Sequence, residues 1–288
     1  MNYCKIKTGL ITYCHGITRF PDNGNYAMVL SYVSEGNLRD YLQKNHSKLT
    51  LNDRITILGY LCKSLYFIHE KDLIHCDLHS GNMLIQGGAC YITDLGLCGP
   101  VDEKSSSKIY GIVSYIAPEL LRGTNNAKNT KESDVYSVGM LMWEIFAGHP
   151  PFDDKAHNHC LIFDICEKGL QPPILPNMPE DYAQMMQKCW DVDPSKRPTM
   201  EELYDFANKK LKEANNNSSG SNNNDSNISS SSSGSISSNS SQIHKSHPLA
   251  YHMSRILDDE IAKSKSLKSN DSLLNDLDVN LNENFNNI

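Results

Sequence analysis

Residues 75–82 read His75-Cys76-Asp77-Leu78-His79-Ser80-Gly81-Asn82. The stretch sets a carboxylate and an amide five positions apart, between a helical pattern and a pair of short strands. A carboxylate on such a loop can orient and deprotonate a hydroxyl, and an amide oxygen can bind a hard cation. Twelve residues after Asn82 comes Asp94-Leu95-Gly96, just past a strand. An Asp ahead of a flexible Gly can hold Mg2+ against phosphates. Taken singly, Asp77, Asn82 and Asp94 would pass as loop caps and turn residues. Their neighbours decide otherwise.

Upstream, Thr50 stands three residues before Asp53, close to a capping box. Ile55, Leu58, Leu61, Cys62, Leu65 and Ile68 follow at helical spacing and predict a helix over about 52–69. Residues 37–43 predict a short helix. The run Tyr26 to Val33 (YAMVLSYV) predicts a buried strand, entered through the turn-forming PDNGN at 21–25. Downstream, Met83 to Ile85 and Ala89 to Ile92 predict short strands about the Gly87-Gly88 turn. Residues 133–147 (SDVYSVGMLMWEIFA) are apolar nearly all round, the pattern of a helix buried on every side. Further helices are predicted near 159–168, 180–190 and 199–212, the last opened by a Thr199/Glu202 capping box. The class is α+β: a little β structure first, then a mostly helical domain.

Three more motifs follow the Asp94 triplet: Ala117-Pro118-Glu119, the run at 133–147, and Asp193-Pro194-Ser195-Lys196-Arg197-Pro198-Thr199. Across roughly residues 10–212 the chain resembles the eukaryotic protein kinase family. HCDLHSGN resembles the H-R-D-L-x-x-x-N catalytic loop, DLG resembles D-F-G, and APE matches outright. Each triplet is weak alone, and the whole series in order is specific. The Cys189-Trp190 pair with the DPSKRPT ending, and the YVSEGNL stretch from Tyr32, look most like the tyrosine-kinase-like group.

The resemblance implies a protein-kinase-like fold: a mostly α-helical C-lobe over residues 34–212, preceded by a truncated β N-lobe remnant at 1–33. It implies transfer of the ATP γ-phosphoryl group to a Ser, Thr or Tyr hydroxyl of a protein substrate, in signal transduction, with ATP and Mg2+ as cofactors. Asp77 would be the catalytic base, and Asn82 and Asp94 the Mg2+ ligands. Leu30 would be the gatekeeper, Ser31 and Val33 would offer backbone groups to adenine, and Leu84 would pack beneath the base. Glu119 and Arg197 would form a buried ion pair, and Asp134 would brace the catalytic loop. Residues 97–116 would be the activation segment, with Ser105, Ser106, Ser107 and Tyr110 as phosphorylation sites.

Departures from the family pattern carry expectations of their own. The 288 residues contain no G-x-G-x-x-G. Lys5 and Lys7 leave too little room before Ile11 for the helix that supplies the lysine's glutamate partner, and the first glutamate after them, Glu35, lies beyond the hinge. Cys76 replaces the arginine that usually links the loop to a phosphorylated activation segment. His79 and Ile112 stand where serine/threonine kinases carry Lys and Thr. The expectation is weak or no kinase activity for this chain alone, with Met1 an internal methionine of a longer kinase. The alternative is a pseudokinase-like binding or scaffold module.

Composition agrees with this reading. The chain has 27 basic and 34 acidic residues, a formal net charge of -7. That excludes a protein made chiefly to bind nucleic acid or an anionic membrane surface. No apolar run approaches the ~20 residues a bilayer needs. The 9 cysteines include no CxxC pair, and the N-terminus has no signal-peptide pattern, so a reduced, cytoplasmic chain is expected. Cys76 reads as a passive substitution, with no basic neighbour in sequence to activate it. The cluster His157-Asn158-His159-Cys160 looks like a ligand set but lacks a second pair at zinc-like spacing. Residues 215–242 hold 14 Ser and 8 Asn, with almost nothing apolar to offset the entropy of ordering them. Residues 213–288 are therefore expected to be a disordered tail. Within it, residues 251–265 would form a short helix, with Ile256, Leu257 and Ile261 on one face, that stays dynamic or docks on a partner.

Overall fold

The computed structural model describes residues 9–100, 108–123, 128–219 and 246–268. Its elements run β1 (Cys14–Arg19), β2 (Tyr26–Leu30), α1 (Leu38–Asn45), α2 (Leu51–His69), β3 (Leu73–Ile74), β4 (Met83–Gln86), β5 (Ala89–Ile92), β6 (Gly99–Pro100), β7 (Tyr110–Gly111), α3 (Pro118–Leu121), α4 (Lys131–Ala147), α5 (His159–Glu167), α6 (Glu180–Cys189), α7 (Met200–Ser219) and β8 (Arg255–Ile256). A last helix, α8, spans 258–268. The strands form two-stranded antiparallel sheets, β1 with β2, β3 with β6, β4 with β5 and β7 with β8. The fold is mixed and mostly helical with small sheets, as the resemblance implies. Among the described residues no helix is long and apolar enough to cross a membrane.

Two helices organise the core. The N-terminus of α2 is closed by a capping box: Asp53 N–H donates to Thr50 Oγ1 at 3.2 Å, and Thr50 N–H donates to the Asp53 carboxylate at 2.8 Å. The face of α2 that the spacing predicts is buried, from Ile55 through Ile68. Helix α4 begins earlier than its apolar run, because Thr130 and Ser133 cap it reciprocally. Nearly all of its side chains are buried, as a pillar requires. Gly139 lets α6 approach closely, since a Cβ there would lie 2.8 Å from Cys189 Cβ. Gly148 ends α4 in the left-handed region at φ +81°, where a side chain would collide with the His46 ring. Helix α7 opens on the Thr199/Glu202 capping box and runs on to Ser219, past the expected end at 212. It packs along α2.

The N-terminal hairpin departs from expectation. Tyr26 to Val33 reads as a buried strand, but β2 stops at Leu30 and Tyr26, Met28, Val29 and Tyr32 are exposed. The reason is topological: among the described residues β1 and β2 pair only with each other, and most of their apolar side chains meet no second layer there. The hairpin is tied to the body through residues 10–12. Ile92 N–H donates to Leu10 O at 3.1 Å, and Thr12 N–H donates to Ile92 O at 3.0 Å.

The C-terminal region also differs. Residues 251–265 are not one helix. Residues 251–257 are non-helical and include strand β8, and the helix follows at 258–268. Leu257 and Ile261 are buried against the body, whereas Ile256 is half exposed. Of the Ser/Asn tract at 215–242, residues 215–219 continue helix α7 rather than being disordered, and 220–242 lie outside the described residues, as do Lys5, Lys7 and Ser105–Ser107.

Candidate active site

One carboxylate sets the shape of the loop at 75–82. Asp134, in the first turn of α4, is 2% exposed. Its Oδ2 accepts the backbone N–H of His75 at 2.8 Å and lies 3.0 Å from His69 Nε2, while Oδ1 accepts the N–H of Cys76 at 3.1 Å. Cys76 sits in the left-handed region at φ +71°. That conformation costs a non-glycine residue about 1–2 kcal/mol, and the two bonds to Asp134 hold it. The bracing expected of Asp134 is seen in these bonds.

The loop is then stitched to the two segments after it. Asp77 N–H donates to His75 Nδ1 at 3.3 Å, so the His75 proton is on Nε2, which donates to Thr93 O at 3.2 Å. Asn82 Nδ2 donates to the backbone oxygen of Asp77 at 2.9 Å, and Thr93 N–H donates to Asn82 O at 3.0 Å. These bonds bring Asp77, Asn82 and Asp94 together. They also commit the Asn82 amide nitrogen and leave its oxygen available. Asp94 is exposed and also left-handed, at φ +55°, with Gly96 N–H 3.3 Å from Oδ1. Asn82 and Asp94 thus supply hard oxygen donors, the kind Mg2+ takes from one or two side chains while phosphates and water complete its shell. The residues present fit that ion.

Burial raises the Asp77 carboxyl above the usual range. Hydrogen bonds from Ser254 and Asn82 and the nearby His75 pull it back in part, and the charge of Asp94 pushes it up further. The net rise makes Asp77 a better proton acceptor than a free aspartate. His79 is nearly buried, and burial, with Arg39 and His75 nearby, pushes its imidazole down to about 3. It is therefore neutral at physiological pH. Gly81 N–H donates to His79 Nδ1 at 3.0 Å, which puts the ring proton on Nε2.

The expected adenine-side residues lie on the link from β2 towards α1. That link reaches β4 through Ile85 N–H to Gly36 O at 2.9 Å and a bridge between Asn37 and Leu84. Ser31 N–H is engaged by Tyr13 O at 2.9 Å, so Ser31 has its carbonyl to offer. Leu30 packs against the core and Leu84 is half buried.

Glu119 and Arg197 meet as expected, with two parallel bonds of 2.7 and 2.8 Å. The guanidinium also donates to Glu132 O and Asp191 O, each at 2.9 Å, and lies over the Tyr136 ring. A cavity of about 320 Å3 lies between the loop and residues 96–100 and 108–117, lined by Cys76, Cys98 and Asp134 among others. Burial foremost, then the Asp134 charge, pushes the Cys76 thiol far up, so it stays protonated.

Sequence reasoning missed three participants. Ser254 Oγ lies 2.8 Å from both carboxylate oxygens of Asp77, and His79 Nε2 lies 3.1 Å from the same Oγ. Arg39 donates to His252 O at 2.8 Å. Ser254 is one of many serines in the tail, and its sole signal was the neighbouring Leu257/Ile261 pair. The histidines of the ligand-like cluster face this tail: His157 Nδ1 lies 2.9 Å from Tyr251 O, and His159 Nδ1 lies 3.2 Å from Glu260.

Comparison with known proteins agrees with the geometry. Residues 2–206 match the family described as protein tyrosine and serine/threonine kinase. The chain belongs to that family. It is 31% identical over 181 residues to a dual serine/threonine and tyrosine protein kinase of Takifugu rubripes, covering 62% of this chain and 19% of the relative. It is 28% identical over 201 residues to cyclic GMP-binding protein C of Dictyostelium discoideum, covering 65% and 7%. A protein of Acanthamoeba polyphaga mimivirus, named as a serine/threonine-protein kinase/receptor, is 32% identical over 182 residues, covering 62% and 11%. The chain therefore spans less than a fifth of the length of these relatives.

Proposed function

We propose that residues 34–212 are the catalytic lobe of a tyrosine-kinase-like protein kinase, which transfers the ATP γ-phosphoryl group to a protein hydroxyl. The observation that carries this reading is the single hydrogen-bonded knot holding Asp77, Asn82 and Asp94, built on Asp134 and the Asn82–Thr93 bond. Asp77 orients the acceptor hydroxyl and takes its proton. Asn82 Oδ1 and the Asp94 carboxylate would hold Mg2+. When bound, the ion neutralises charge on the phosphates. Ser31 O and the backbone of Val33 receive adenine, with Leu30 and Leu84 against its faces.

A second reading is a binding module without transfer. Thermal unfolding of the chain with and without MgATP, together with 32P transfer to a generic protein acceptor, tests both. A kinase shows a nucleotide-dependent rise in melting temperature and transfer that Asp77→Asn abolishes. A binder shows the rise alone. No rise and no transfer refute the kinase reading.

A further inference from the structure

We infer that residues 246–268 are an intramolecular acceptor peptide that fills the protein-substrate groove and presents Ser254 to Asp77 for phosphorylation. The inference rests on the kinase reading above and names its substrate.

The Ser254 contact is directional. His79 Nε2 carries a proton and can only donate, so the Ser254 hydroxyl accepts from His79 and must turn its own proton to Asp77. One lone pair of Oγ is engaged, the proton faces the base, and the other lone pair stays available to attack. That is how an acceptor hydroxyl must be held. In the transfer, the bond between the γ-phosphorus and its bridging oxygen in ATP breaks as the Ser254 Oγ–phosphorus bond forms. The electron pair of the broken bond leaves on ADP, and the Oγ proton passes to Asp77.

The flanking chain is bound as a peptide substrate would be. Strand β8 pairs antiparallel with β7 of the activation segment, Tyr110 opposite Ile256 and Gly111 opposite Arg255. Leu257 N–H donates to Ile109 O at 3.0 Å, and Ile109 N–H donates to Asp258 Oδ1 at 3.0 Å. Backbone pairing supplies affinity without regard to sequence, and side-chain pockets supply selectivity. The pockets here take Leu257, fully buried, and Ile261, 5% exposed. Both ends are anchored. His247 N–H donates to Asp153 O at 2.7 Å, and His157 N–H donates to Leu249 O at 2.9 Å. Glu260 accepts from His159 N–H at 2.9 Å, and Lys268 pairs with Glu167 at 2.7 Å. A segment so held excludes any other acceptor. It also defines what the groove selects: a serine peptide extended through the third residue after the serine and helical beyond it, with apolar residues three and seven positions after the serine.

Two measurements on the full chain test this. First, hydrogen exchange without nucleotide compares the wild type with the Leu257→Asp/Ile261→Asp double variant. Amides of 109–111 and 255–261 should exchange at least about tenfold more slowly in the wild type, and equal rates would overturn the docking. Second, phosphosite mapping after incubation with MgATP uses Asp77→Asn as the blank. Phosphate on Ser254, at a rate independent of chain concentration and reduced at least about tenfold in the double variant, supports the inference. Phosphate on an added acceptor protein or on other sites, but not on Ser254, overturns the acceptor role. Slow exchange with no phosphate on anything refutes the kinase reading and the acceptor role, and the segment is then a plug.

Discussion

Replacing Asp134 tests the link between the core and the loop at 75–82. In Asp134→Ala, the N–H groups of His75, which is buried, and of Cys76, which is partly buried, lose their acceptor. Each is a hydrogen bond to a charged group, worth about 1.5–3 kcal/mol, and an orphaned buried donor costs about 1–3 kcal/mol. The carboxylate also sits in the first turn of α4, where its charge complements the helix dipole by about 0.3–1 kcal/mol. Release of the strained Cys76 backbone returns about 1–2 kcal/mol. The net expectation is a loss of about 3–5 kcal/mol, in line with removing one member of a buried charged network. For a domain of this size that corresponds to a fall in melting temperature of roughly 6–20 °C. Asp134→Asn should lose most of the same stability, because its amide NH2 faces a donor where an oxygen is needed. Urea unfolding followed by circular dichroism measures the change, with the slope of the transition as a check that the unfolded state is unaltered. A loss below about 1 kcal/mol for Asp134→Ala would refute the claim that this carboxylate holds the loop.

The remaining expectations concern the lower lobe and the docked segment. Arg197→Ala should destabilise by about 3–5 kcal/mol, because it leaves Glu119 unpaired and strips the partners of Glu132 O and Asp191 O; the same unfolding assay checks it, and a loss under 1 kcal/mol contradicts it. Docking of 246–268 should weaken on acidification. Burial first, then Arg39 and His157, lower the His252 imidazole to about 4 when docked, and His79 is lowered to about 3. A released histidine protonates near 6.5. Protonation therefore favours release, and docking present above pH 6.5 should be lost progressively as pH falls towards 4. Exchange rates of the 255–261 amides at pH 7.5 and 5.0, corrected for intrinsic exchange, measure this; unchanged protection at pH 5.0 would contradict it.

Local chemistry alone made much of this protein legible. The capping boxes at Thr50 and Thr199 mark helix starts through interactions within one turn, and the apolar run at 133–147 announces a buried pillar without knowledge of its neighbours. The spacing of Asp77, Asn82 and Asp94 is local too, because one loop and one hairpin join them. The N-terminal hairpin misled, since an apolar strand pattern implies burial only if a second layer exists. Helix 251–265 misled for a related reason. A weak amphipathic pattern of fifteen residues yields to an available strand edge: Arg255–Ile256 pair with Tyr110–Gly111 as strand β8, and residues 251–257 are non-helical. Side-chain spacing therefore determined the helices, the loop at 75–82 and the family. Only the tertiary structure decided that Asp134 props that loop from 58 residues away and that Ser254, 177 residues from Asp77, rests on its carboxylate. Contacts across such separations leave no periodic trace, because they are set by how surfaces meet after the elements have formed.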